Sequence, residues 1–131
     1  MRVAEVMTSP AVTIEPTEHL LSAFNKMKDL HIKHLPVVED EQLIGIISDR
    51  DLLAHATRDK GALLFPRWTV EKVMTKAVFN CDANDDIDQA VQLMLTKNIN
   101  CLPVITDKRV VGIITSRNIL QQLRCSEGVD D

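Results

Sequence analysis

The chain has 131 residues, 45% of them hydrophobic and only 3% aromatic, with a formal net charge of -4. That length suits one domain burying roughly two thirds of its unfolded surface around a core of Val, Ile, Leu and Met. The acidic balance without any basic stripe argues against a nucleic-acid binder, and no apolar run is long enough to span a bilayer.

The N-terminal stretch "MRVAEVMTSP" lacks the apolar segment of a signal peptide, so a cytoplasmic protein is expected. Cys81, Cys101 and Cys125 are three widely spaced thiols, which fit a reducing compartment better than a disulfide framework. The histidines are His19, His31, His34 and His55. Pro36 turns the segment holding His31 and His34 towards a strand, and no second cluster has zinc spacing, so no metal site is assigned.

In chain order, "VAEVMT" (Val3 to Thr8) predicts a short helical turn ending at Met7, followed by a brief apolar strand, "AVTI". Leu20, Phe24 and Met27 recur at i, i+4 and i+7 and predict a helix, with Thr17 as N-cap and Glu18 at the positive end of its dipole. Two strands follow, "LPVV" and "LIGIIS", joined by a polar turn at Glu39–Gln42. A final helix starts just after Ser48. Residues 57–69, "TRDKGALLFPRWT", break the pattern and read as a linker, with Phe65 and Trp68 pinning it to the body.

From Val70 the chain repeats itself at a shift of 67 residues, and 16 of 51 gapless aligned positions are identical between Val3/Val70 and Leu53/Leu120. Chance would give about three. "VEKVMT" matches "VAEVMT", and "CLPVITDKRVVGIITSRNIL" (Cys101 to Leu120) matches "HLPVVEDEQLIGIISDRDLL" (His34 to Leu53). "VFNC" takes the place of the brief strand, Ile87, Val91 and Met94 form the second helix stripe, and Asn84, Asp85 and Asp86 stand at its start. Each copy is therefore β-α-β-β-α, spanning residues 1–56 and 70–124, with residues 125–131 as a frayed acidic tail. About 55 residues with three strands bury too little surface alone, so two copies are expected to pack sheet to sheet about an approximate two-fold.

Two short stretches carry candidate chemistry. Ser48 and Asp51 have the spacing of a capping box, in which each side chain satisfies an orphan backbone N–H at a helix start, and Thr115 with Asn118 matches them. Capping alone explains both copies. It leaves Arg50 and Arg117 unexplained, which could neutralise a phosphate. Gly45 and Gly112 lie inside strands without a phosphate-loop context and suit close backbone packing. Met7, Met27, Met74 and Met94 read as core filling. No paired carboxylates, Ser/His/Asp set or metal cluster converges, so no catalytic residue is assigned.

The doubled "VMT" and "LPV…GII(S/T)xR(D/N)" pattern resembles a tandem pair of CBS (cystathionine-β-synthase) domains over nearly the whole chain. The resemblance implies an α/β fold of two repeats related by a pseudo-two-fold, with small sheets packed together and helices outside. It also implies a homodimer and clefts that mix the repeats and bind adenosine-containing ligands. One cleft would join Ser48, Arg50 and Asp51 to Thr75, Ile99, Asn100 and Cys101. The other would join Thr115, Arg117 and Asn118 to Thr8, Ile32, Lys33 and His34. The family's ribose-binding acid falls on Asp51 and its phosphate-contacting hydroxyl on Ser48, with adenine against Ile99 or Ile32. AMP, ADP or ATP are the expected ligands because both motifs carry Arg; S-adenosylmethionine, NAD and a purely structural, dimerising pair are the alternatives. The regulated effector is expected on another chain.

Overall fold

The computed structural model describes residues 1–123 and Gly128, so most of the expected tail, with Cys125, lies outside the described residues. The first repeat runs α1 (Val3–Val6), α2 (Leu20–Leu30), β1 (His34–Glu39), β2 (Gln42–Ser48) and α3 (Asp49–Leu53). The linker forms a hairpin, β3 (Thr57–Asp59) and β4 (Ala62–Leu64). The second repeat runs α4 (Val70–Val73), β5 (Cys81–Asp82), α5 (Ile87–Lys97), β6 (Cys101–Thr106), β7 (Arg109–Thr115) and α6 (Ser116–Gln122).

The helical stripes point inward as the spacing predicts: Leu20, Ala23 and Met27 on α2 and Ala90 and Met94 on α5 are buried. The helix starts differ from expectation. The N-caps are His19 and Asp86, two residues beyond Thr17 and Asn84. The cause is tertiary. Leu20 N–H donates to the Trp68 carbonyl and Val70 N–H to the Glu18 carbonyl, which holds His19 extended opposite Thr69. In the second copy Val3 N–H donates to the Asp85 carbonyl and Ile87 N–H to the Met1 carbonyl, with the same effect. Of the brief strands, Ile14 makes only one parallel bridge, to Val37, while Cys81–Asp82 adds to β6.

Each repeat's hairpin pairs antiparallel, His34 opposite Ser48 and Cys101 opposite Thr115. The two hairpins meet edge to edge at Gln42 opposite Arg109, giving the strand order β1-β2-β7-β6-β5. An Arg109–Glu41 ion pair at 3.1 Å closes that junction on its exposed side.

The N-terminal turns cross over between repeats. Val70 packs into the core of the first repeat, among Leu20, Leu35, Val37, Ile47 and Leu52. Val3 and Val6 pack into the core of the second, among Leu102, Val104, Ile114 and Ile119. Val3 and Val70 are both fully buried, which stabilises the exchange by roughly 1.5–3 kcal/mol each. Backbone bonds fasten each turn to the other repeat's strand. Thr75 and Ile46 exchange N–H donors at 2.9 and 3.0 Å, and Thr8 and Ile113 do so at 2.8 and 3.0 Å. The strands approach that closely only at glycine. A Cβ on Gly45 would lie 3.0 Å from the Thr75 carbonyl oxygen, and one on Gly112 would lie 2.9 Å from that of Thr8. Met74 and Met7 lay their sulfurs over these glycines. In the linker, Phe65 packs on Phe24 with ring centroids 5.1 Å apart, and Trp68 meets His55 and Lys72.

Gly112→Val should destabilise the fold by about 1–3 kcal/mol in urea titrations, because the Thr8 carbonyl cannot retreat without breaking its bonds to Ile113. A midpoint equal to wild type would show that this crossing is not tight.

Candidate functional site

Both helix-start motifs are capping boxes. Ser48 Oγ accepts from Asp51 N–H at 3.2 Å, and Asp51 Oδ2 accepts from Ser48 N–H at 2.8 Å. Thr115 Oγ1 accepts from Asn118 N–H at 3.1 Å, and Asn118 Oδ1 accepts from Thr115 N–H at 2.9 Å.

Beyond the cap the two copies diverge. The Thr115 hydroxyl donates to Asn118 Oδ1 at 2.9 Å, and Asn118 Nδ2 donates to Thr8 Oγ1 at 3.3 Å. Asn118 thus uses both ends of its amide within the protein. Asp51 uses only Oδ2; its Oδ1 has no donor, and the Ser48 hydroxyl no acceptor, among the described residues. An ionised carboxyl accepts at both oxygens, so Asp51 caps its helix and still presents an acceptor outward.

A cavity of about 720 Å³ opens beside this motif. It brings together all seven residues expected in the first cleft: Ser48, Arg50, Asp51, Thr75, Ile99, Asn100 and Cys101. Lys33 and His34, expected opposite Thr115, line this same cavity. Strand register is the reason, since His34 pairs directly with Ser48 and Asp49 N–H donates to the Lys33 carbonyl. Of the other residues expected in the second cleft, Thr8 meets Asn118 through its hydroxyl, Arg117 follows the Thr115 cap on α6, and Ile32 packs against the first core.

The sequence reading missed Asp49, Phe79 and Asn98, which also line the cavity. Phe79 lies five residues beyond Met74, in the stretch carried across by the crossing turn. Its signal in the sequence was a lone aromatic matched to Val12 in the other copy.

Arg50 has no ion pair among the described residues, so a cation stands free at the cavity. Burial holds the His34 imidazole below its usual 6.5; the Asp49 and Asp51 carboxylates pull the other way, and Lys33 adds to the depression. Burial, with Cys81 nearby, pushes the Cys101 thiol up to about 12, and burial, with Asp85 and Asp82, does the same to Cys81. Neither is a thiolate at neutral pH. No three His, Cys, Asp or Glu residues among those described are grouped to hold a metal, and no described helix is long and apolar enough to cross a membrane.

The family model for the CBS domain matches residues 3–58 and again 70–124. The chain belongs to the CBS-domain family. As a CBS pair it is 33% identical over 129 residues to inosine-5'-monophosphate dehydrogenase of Methanocaldococcus jannaschii, covering 97% of this chain and 24% of that enzyme. The chain spans from 22% to 46% of the first curated relatives it matches. A CBS domain pair solved in complex with 5'-methylthioadenosine and S-adenosyl-L-methionine superimposes with a TM-score of 0.78 at 28% identity, covering 92% of this chain and 94% of that one. A CBS protein solved with AMP shares the fold with a TM-score of 0.77 at 24% identity, over 92% and 93% of the two chains.

The depressed His34 sets a pH dependence. Its folded-state pKa lies below the unfolded value, so as pH falls below about 6.5 the unfolded chain takes up this proton first and stability is lost through the folded pKa. His34→Gln should lose less stability than wild type between pH 7.5 and 5, read from urea midpoints; parallel losses would contradict the assignment.

Proposed function

We propose that this CBS pair is a regulatory module that binds an adenine nucleotide, AMP, ADP or ATP, in the Asp51 cavity and passes its occupancy to an effector protein. The observation that carries the reading is the unspent hydrogen-bonding capacity beside that cavity. Asp51 Oδ1 can accept from a ribose hydroxyl, and the Ser48 hydroxyl and Arg50 guanidinium can meet a phosphate. A volume of about 720 Å³ lies within the range of small-molecule sites, roughly 300–1,000 Å³. The structural relative that holds two adenosine compounds supports the adenosine part.

Asp49 and Asp51 line the cavity with Arg50 and Lys33, so the preference for a phosphate over a sulfonium rests on Arg50, which has no ion pair among the described residues. A phosphate would pair with that guanidinium, whereas a positively charged S-adenosylmethionine would leave it unpaired. Binding would stabilise one arrangement of the crossed repeats and so shift an effector's equilibrium. The expected homodimer is part of this proposal.

A different reading applies to the second cleft. Asn118, bonded to Thr8 and Thr115, ties the repeats together where Asp51 stays open. We assign that cleft a mainly structural role, with weaker or no ligand binding.

Saturation at about 100 times the dissociation constant should add roughly 2.7 kcal/mol of stability, read as a rise in melting temperature with AMP, ADP or ATP. Asp51→Ala should weaken nucleotide binding at least tenfold in calorimetry, and Asn118→Ala far less. A panel in which S-adenosylmethionine or NAD alone shifts the melting temperature would replace the ligand class; no shift with any of the five would leave a structural module.

A further inference from the structure

Four aromatic side chains stand in this protein, three Phe and one Trp. Phe24 and Phe65 pack on each other, and Trp68 meets His55 and Lys72; all three are partly buried and pack against the first repeat's core. Phe79 stands apart. It is 43% exposed, it lines the Asp51 cavity, and Lys97 Nζ lies over its ring at 5.1 Å from the centroid.

No demand of the core explains the ring. Phe79 is absent from both buried clusters and from the hydrophobics packed against them. In the duplicate the matched residue is Val12, so the repeat architecture tolerates an aliphatic side chain there. Ile99, the other apolar candidate for the base, packs against the second core, which occupies part of its surface. An exposed ring on a cavity wall, in a protein this poor in aromatics, is a surface for another flat π system.

We infer that Phe79 is the base-stacking residue of the Asp51 cavity, and that it makes this cleft prefer a nucleoside phosphate over a sugar phosphate without a base. The inference rests on the nucleotide reading above and assigns the base a side that the repeat motif does not specify. It also separates the two clefts a second time, since the first has Asp51 with Phe79 and the second Asn118 with Val12.

The test uses the full chain and two probes, AMP and ribose 5-phosphate, in calorimetry, with ribose 5-phosphate also run in competition with AMP. Phe79→Val, which installs the residue of the other repeat, should weaken AMP binding roughly tenfold or more and leave ribose 5-phosphate unchanged. Phe79→Trp should keep AMP affinity, and its added fluorescence over the Trp68 background should be quenched by AMP but not by ribose 5-phosphate. Equal weakening of both probes would make Phe79 a structural wall residue and overturn the inference. So would AMP binding that is lost in Asp51→Ala yet unaffected in Phe79→Val, while leaving the nucleotide reading intact. Failure of the wild-type chain to bind AMP, ADP or ATP would overturn both. If Phe79→Val does not fold, Phe79→Leu with the Phe79→Trp quenching pattern decides the same question.

Discussion

The close crossing of each N-terminal turn over a strand of the other repeat is the constraint on which the rest depends. Gly45 and Gly112 let the backbones of Thr75 and Thr8 approach within bonding distance of Ile46 and Ile113. A larger residue would push the turns outward, and Val70 and Val3 would lose the cores that bury them. The crossing also holds His19 and Asp86 extended, which is why both long helices begin later than local sequence suggests. It sets Thr75 beside the Ser48 motif and Thr8 beside the Thr115 motif. Core, helix starts and cavity therefore share one cause.

Capping and ligand binding are compatible uses of the same atoms. A cap requires one carboxylate oxygen and one lone pair of a hydroxyl. Asp51 and Ser48 meet that requirement with an oxygen and a proton left over. Asn118 meets it with no second acceptor oxygen left over, because an amide has one carbonyl oxygen, and one N–H of its NH₂ finds Thr8. A single change from carboxylate to amide thus turns an open site into an inter-repeat clasp, with the backbone geometry of the cap kept. Duplication provided two equivalent motifs, and this exchange made them unequal.

Much of this was legible from residues alone. The 67-residue shift exposed the duplication, the period of Leu20, Phe24 and Met27 located a helix, and the Ser-x-x-Asp spacing located a cap. The grouping of Ser48, Arg50 and Asp51 with Thr75 and Ile99 to Cys101 came from resemblance, and the cavity brings those residues together. The placement of Lys33 and His34 was not legible, because it depends on the pairing of His34 with Ser48 and on which face of that pair the cavity opens. Phe79 was missed for a related reason: its neighbours across the cavity are some 30 residues away in the chain.

The amino-acid sequence by itself determined the repeat, the order of elements within it, both capping boxes and the difference between Asp51 and Asn118. These are local or periodic properties, written into spacing and side-chain chemistry. Only the tertiary structure decided which core each valine turn enters, where the long helices begin, and which oxygen of Asp51 remains free. Those depend on contacts between segments that local propensity does not see, and the exchange of turns between two nearly identical repeats cannot be told from its uncrossed alternative by pattern alone.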